Sequence, residues 1–182
     1  MQILCLGDIA ISTNLIRDWS PPANFSIDSN ARILFNWELP IGTSINHIPR
    51  TRGPRLLSHP ESIRVIRSWG PGIAALATNH ILDAGEEGLA DTIDSLQRGG
   101  FSTVGAGFTR EEITRPFIWE TNEGKLAIIN WVFPETHPDW ERVPGPNCWP
   151  GEIEAKRTIG EVKREVDWVL IFLHWSDELF HY

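Results

Sequence analysis

The chain has 182 residues, 41% of them apolar, which is one domain's worth of sequence with enough hydrophobic side chain to bury a core. That composition excludes intrinsic disorder, collagen-like repeats and coiled coil, and no apolar run approaches the ~20 residues a transmembrane helix needs. Sixteen basic against 24 acidic residues give a net charge of −8, which argues against a broad nucleic-acid surface or an anionic-membrane partner.

Two cysteines, Cys5 and Cys148, are too few for a disulfide framework and have no metal-binding spacing. Met1–Leu6 reads as a strand with no basic flank or cleavage site, so the expectation is either a cytoplasmic location or a segment upstream of this sequence. Cys5 then reads as a small core residue of that strand.

Strand-like and helical runs alternate along the chain. Gln2–Leu6 and Ala31–Asn36 read as strands. Pro60–Trp69 has Ile63, Ile66 and Trp69 at helical spacing. Gly72–Thr78 is a short apolar strand. Gly85–Gly99 is the clearest helix, with Leu89, Ile93 and Leu96 on one face and Gly99-Gly100 ending it. Phe101–Val104 is a strand. Pro116–Trp119 and Lys125–Trp131 form a hairpin around Thr121-Asn122-Glu123-Gly124. Residues 135–151, rich in Pro, Gly and Trp, form a loop. Glu152–Glu165 is an amphipathic helix, and Val166–Leu173 is an apolar run that reads as a central strand buried on both faces.

This is an α/β pattern, in which ligands bind beyond the carboxyl ends of strands. Polar residues stand at those places. Asp8 follows the first strand, Asn36 and Glu38 the second, Asn79, His80 and Asp83 the third, and His174 and Glu178 the last. Oxygen donors and imidazoles converging on one sheet edge suit a divalent cation such as Zn, Mn, Fe or Mg. The loop Pro49–Arg55 adds Arg50, Arg52 and Arg55, whose planar forks fit a carboxylate-rich or phosphorylated anionic substrate. Gly105-Ala106-Gly107 reads as tight-turn chemistry, because the full phosphate-loop fingerprint is missing. Trp37, Trp140, Trp149 and Trp175 are candidates either for the core or for the walls of a cleft.

Several of these segments together carry a resemblance. The run Ala77–Leu89 (ATNHILDAGEEGL), then Asp91-Thr92 and Gly105-Ala106-Gly107, resembles the CapA family of poly-gamma-glutamate capsule synthesis proteins, relatives of calcineurin-like metallophosphatases. Gly7-Asp8, Asn36-Trp37-Glu38 and His174-Trp175-Ser176-Asp177-Glu178 match further family segments in the same order, with Ser176 where the family has Gly. The resemblance implies a metallophosphatase-like αββα sandwich with a metal centre at its strand ends. Asp8, Glu38, Asn79 and His174 would be the metal ligands. His80 would be the general acid or phosphate contact, oriented by Asp83, and Glu178 would support His174. Asn36 and the three arginines would meet a substrate, either an anionic small molecule or a polyglutamate-like polymer. The family closes with a Gly-His-His-Pro-His type segment that is not found here, so the C-terminal part of the sandwich is expected to be missing. Many members are also membrane-anchored and extracytoplasmic.

Overall fold

A computed structural model describes residues 1–11, 31–42, 56–133 and 142–175. A four-stranded parallel sheet has the order β1-β2-β3-β4, built from β1 (Gln2–Ile9), β2 (Ala31–Trp37), β3 (Gly72–Ala75) and β4 (Ser102–Val104). A second sheet has the order β6-β7-β9, from β6 (Phe117–Thr121), β7 (Gly124–Val132) and β9 (Trp168–His174). Here β6 and β7 are the expected antiparallel hairpin, and β9 joins β7 in parallel. A two-residue ladder pairs β5 (Ala106–Gly107) with β8 (Gly145–Pro146).

The alternation of side chains along the strands sorts the core into three clusters. On β2, Ile33, Phe35 and Trp37 pack with Ile63, Val65 and Ile66 of helix α1 (Ser62–Arg67) and with Leu89 and Leu96 of α2 (Gly85–Arg98). Leu34, on the other face, joins Ile73, Ala75 and Val104, and meets Leu126 and Ile128 of β7 and Leu170 and Phe172 of β9. On the far face of β7, Ile129 and Trp131 pack against Ala155 of α4 (Glu152–Val162). The same alternation puts Asn36 in line with Leu34, and His174 in line with Leu170 and Phe172. The polar strand ends of both sheets therefore point into the space between the sheets.

Several expectations are corrected. Cys5 is exposed, because β1 is an edge strand of its sheet. The run at β9 is not central and not buried on both faces. Among the described residues it is the edge of a three-stranded sheet, and Trp168, Ile171 and Leu173 are 48%, 39% and 46% exposed. β3 stops at Ala75, three residues early: the Leu76 amide makes the last ladder bond, to the Val104 carbonyl, and the next amide, of Ala77, donates to the Asn130 side chain instead. A short helix, α3 (Arg110–Thr114), was not anticipated. It is fixed by a capping box in which the Thr109 hydroxyl accepts from the Glu112 amide and the Glu112 carboxylate accepts from the Thr109 amide.

Candidate metal centre

Asp8 lies at the end of β1, after a register shift between Cys5 and Asp8. Glu38 follows β2, and its amide donates to the Ile9 carbonyl at 3.1 Å, which sets these two strand exits side by side. The loop after β3 is tied to them by the Thr78 hydroxyl, which donates to the Glu38 carbonyl at 3.1 Å and accepts from the His80 amide at 3.1 Å. His174 ends β9 and enters from the second sheet.

These exits bring one donor atom each from Asp8, Glu38 and His174 within 4.8 Å of one another. Asn36 stands at the middle. Its side-chain nitrogen is 2.9 Å from Asp8 Oδ1, 2.5 Å from Glu38 Oε2 and 3.2 Å from His174 Nδ1. An amide nitrogen has two hydrogens, so three acceptors converge on a group that can satisfy two. Asn36 Oδ1 is buried with no hydrogen-bond partner. His174 Nε2 is 2.8 Å from Asn79 Oδ1. An amide oxygen only accepts, so Nε2 carries a hydrogen. Nδ1 faces both the Asn36 nitrogen and, at 3.6 Å, Asp8 Oδ1, accepting from Asn36 when the ring is neutral and donating to Asp8 when it is protonated.

Next to this group, His80 Nε2 is 3.9 Å from Glu38 Oε1, and His80 Nδ1 is 2.7 Å from Asp83 Oδ2. The same Asp83 oxygen accepts from the Leu56 amide at 2.8 Å. Asn79, His80 and Asp83 are buried, whereas Asp8 is exposed, so the cluster is reached from the Asp8 side.

The electrostatics follow from these neighbours. The contact with His174 holds the Asp8 carboxyl below the usual carboxylate range, although partial burial opposes it and Asn36 assists. Burial pushes Glu38 up. The imidazole of His174 pulls it back, the charge of Asp8 adds to the rise, and His80 and Asn36 oppose it. Among the described residues, no Lys or Arg forms an ion pair with either carboxylate.

The predicted residues Asp8, Glu38, Asn79, His80, Asp83 and His174 are thus brought together. Asn36 is only 2% exposed, with its amide turned to the donor residues. Arg50, Arg52, Arg55 and Glu178 lie outside the described residues. Trp37 is fully buried in the core, and Trp149 and Trp175 pack on each other 5.3 Å apart, with Trp149 also against Trp131, on the α4 side of the second sheet. Trp140 lies outside the described residues. One buried polar residue near the site, Asn130, is not singled out by the sequence reading. Its signal is a lone amide inside an otherwise apolar strand, Leu126–Val132.

Comparison with known proteins shows the family of the chain. The model of the bacterial capsule synthesis protein PGA_cap family matches residues 2–182. The chain belongs to that family. A Mycobacterium tuberculosis protein named "Probable polyglutamine synthesis accessory protein" is 29% identical over 130 residues, covering 65% of this chain and 34% of the relative. The "PGA biosynthesis protein CapA" of Bacillus subtilis is 23% identical over 145 residues, 79% of this chain and 38% of the relative. The "Capsule biosynthesis protein CapA" of Bacillus anthracis is 22% identical over 138 residues, 73% and 34% respectively. The chain therefore spans about a third of the length of these PGA_cap relatives. Among its described residues, no helix is long and apolar enough to cross a membrane.

Proposed function

We infer that this PGA_cap domain holds a divalent cation, Mn, Zn, Fe or Mg, at a metallophosphatase-type site and serves in poly-gamma-glutamate capsule synthesis. The observation that carries the reading is the convergence of Asp8, Glu38 and His174 donors within 4.8 Å. Two carboxylates and an imidazole form a donor set that suits these ions. The residues fit a cation for a second reason. Two acidic side chains share one Asn amide, and no Lys or Arg among the described residues pairs with them. The core clusters support the sandwich reading, since one lies between the sheets and the other two under the helices.

Asp8, Glu38 and His174 would hold the ion, with Asn79 beside His174. A cation bound there supplies charge for polarising a phosphoryl or carboxyl oxygen and for acidifying water. Asn36 holds the two carboxylates together. Asp83 fixes the His80 ring, so that Nε2 faces the Glu38 side and can move a proton to a leaving group. The exposed Asp8 side is the approach for substrate.

A second reading, a metal-dependent phosphoesterase outside capsule synthesis, is favoured by the His80–Asp83 pair, which is built like a proton donor. A truncated, non-catalytic domain is the third. The test is metal content and affinity for Mn and Zn in wild type, Asp8→Ala and Glu38→Gln, followed by hydrolysis of an aryl phosphate. One or two ions held by wild type and lost in both variants are expected. No ion above background would overturn the metal reading. Hydrolysis abolished by His80→Ala would favour the phosphoesterase. Salt-sensitive binding of polyglutamate, lost on replacing Arg50, Arg52 and Arg55 by Ala, would favour the capsule polymer. Metal held without either activity would favour the non-catalytic domain.

A further inference from the structure

We propose that Asn130 is a positioning residue that sets the distance between the Asn79–His80 loop and His174. Asn130 is fully buried in β7, on the face that looks toward the first sheet. Its side chain uses both ends. Oδ1 accepts from the Ala77 amide at 2.7 Å, and Nδ2 donates to the Phe172 carbonyl at 3.0 Å. Ala77 lies two residues before Asn79, and Phe172 lies two residues before His174. The Asn79 and His174 side chains then meet at 2.8 Å. One rigid amide thus spans the two backbone segments whose next side chains must touch.

The surroundings are arranged for that amide. The Asn130 carbonyl accepts from the Asn147 side chain at 3.0 Å, and the Asn147 amide donates to the Gly105 carbonyl at 2.7 Å. Gly105 has φ +90°, and a Cβ placed on it would stand 2.1 Å from Asn130 Oδ1 and 3.0 Å from the Ala77 Cβ. The glycine of the 105–107 segment is therefore there to make room for Asn130 as well as to turn the chain. Leu126 and Ile128, on the same face of β7, pack apolar side chains into the inter-sheet core. A leucine or isoleucine at 130 would suit that cluster, so packing alone does not call for an amide. A buried amide with both ends satisfied fixes geometry more sharply than an apolar side chain does.

The proposal's relevance to metal binding rests on the metal-site reading, and the experiment separates the two. Asn130→Leu keeps the branched heavy-atom skeleton and removes both hydrogen bonds. Gly105→Ala keeps Asn130 and displaces it. Ile113→Ala, at a fully buried position of α3, is the control for lowered stability. In the metal-free proteins, nitrogen NMR of the His174 ring reads the tautomer. In parallel, calorimetry with Mn and Zn reads affinity. Wild type and Ile113→Ala are expected to show the hydrogen on Nε2, whereas Asn130→Leu and Gly105→Ala show a mixed tautomer and bind metal about 10- to 100-fold more weakly. A wild-type tautomer in both folded variants overturns the proposal, as does an equal change in Ile113→Ala. If wild type binds neither metal, the metal-site reading fails, and the tautomer measurement still decides the role of Asn130.

Discussion

Asp83 Oδ2 lies 2.7 Å from His80 Nδ1 and 2.8 Å from the Leu56 amide, and the carboxylate is fully buried. One oxygen therefore aims the imidazole and anchors the backbone at Leu56. Asp83→Ala leaves two donors without this acceptor. At about 1–3 kcal/mol for each orphaned donor, the expected loss is about 2–6 kcal/mol. Asp83→Asn keeps an acceptor of the same shape and should lose clearly less. Urea unfolding of both variants checks this, and equal stability of Asp83→Ala and wild type would show that the anchor is dispensable.

Glu38 gives the opposite kind of prediction. Its native pKa is raised by burial, so the folded protein binds this proton more tightly than the unfolded chain does. The sign follows from linkage. The ionised carboxylate costs stability, and that cost is absent in acid. It enters as pH rises from the ordinary carboxylate range through the raised native value, and it persists above. Glu38→Gln should raise the melting temperature of the metal-free protein at pH 7, have little effect near pH 3, and remove metal affinity. Thermal melts at the two pH values and calorimetry check all three.

Asp8 titrates the other way. Its native pKa is lowered, chiefly by His174, so it adds stability above the ordinary Asp range, and that stability is lost as pH falls through the depressed native value. Carbon NMR should place the Asp8 carboxyl midpoint below the usual range in wild type. In His174→Ala only the raising effect of burial and the weaker help of Asn36 remain, so the midpoint should move up. An unmoved midpoint would show that His174 is not the cause.

Thr109→Ala tests the helix that was not anticipated. Losing the hydroxyl removes one half of the capping box and should cost about 1 kcal/mol. Urea unfolding measures it, and a change below a few tenths would mean that Ile113 packing and the Glu112 carboxylate, which still accepts from the Phe108 and Thr109 amides, hold α3 without the hydroxyl.

The strand ends were legible because each polar group interrupts an apolar run at the point where the chain leaves a sheet. Asp8, Glu38 and Asn79 could be placed on one edge from that alone, whereas the expectation that His174 shares that edge is corrected, because β9 belongs to the second sheet and its end meets the others across the space between the sheets. β9 was misread because continuous apolarity resembles burial on both faces, whereas its outer face is largely uncovered among the described residues. Cys5 was misread for the related reason that an apolar edge strand looks like an inner one. The five residues of α3 are too few to show a helical period, although Thr109 and Glu112 are spaced as a capping box. The early end of β3 depends on a side chain more than 50 residues away, since Asn130 takes the Ala77 amide across 53 positions. Local pattern has no access to such a partner.

His174 stands 138 residues after Asn36, the side chain it meets at 3.2 Å. During synthesis, a chain that has emerged through β7 already carries Asp8, Asn36, Glu38 and Asn79 in one half of the fold but no imidazole opposite them. The three-donor group comes into being only when β9 docks beside β7. A cation held there, as proposed, would be captured as a late event, and its presence would report that the first and last described strands have found each other.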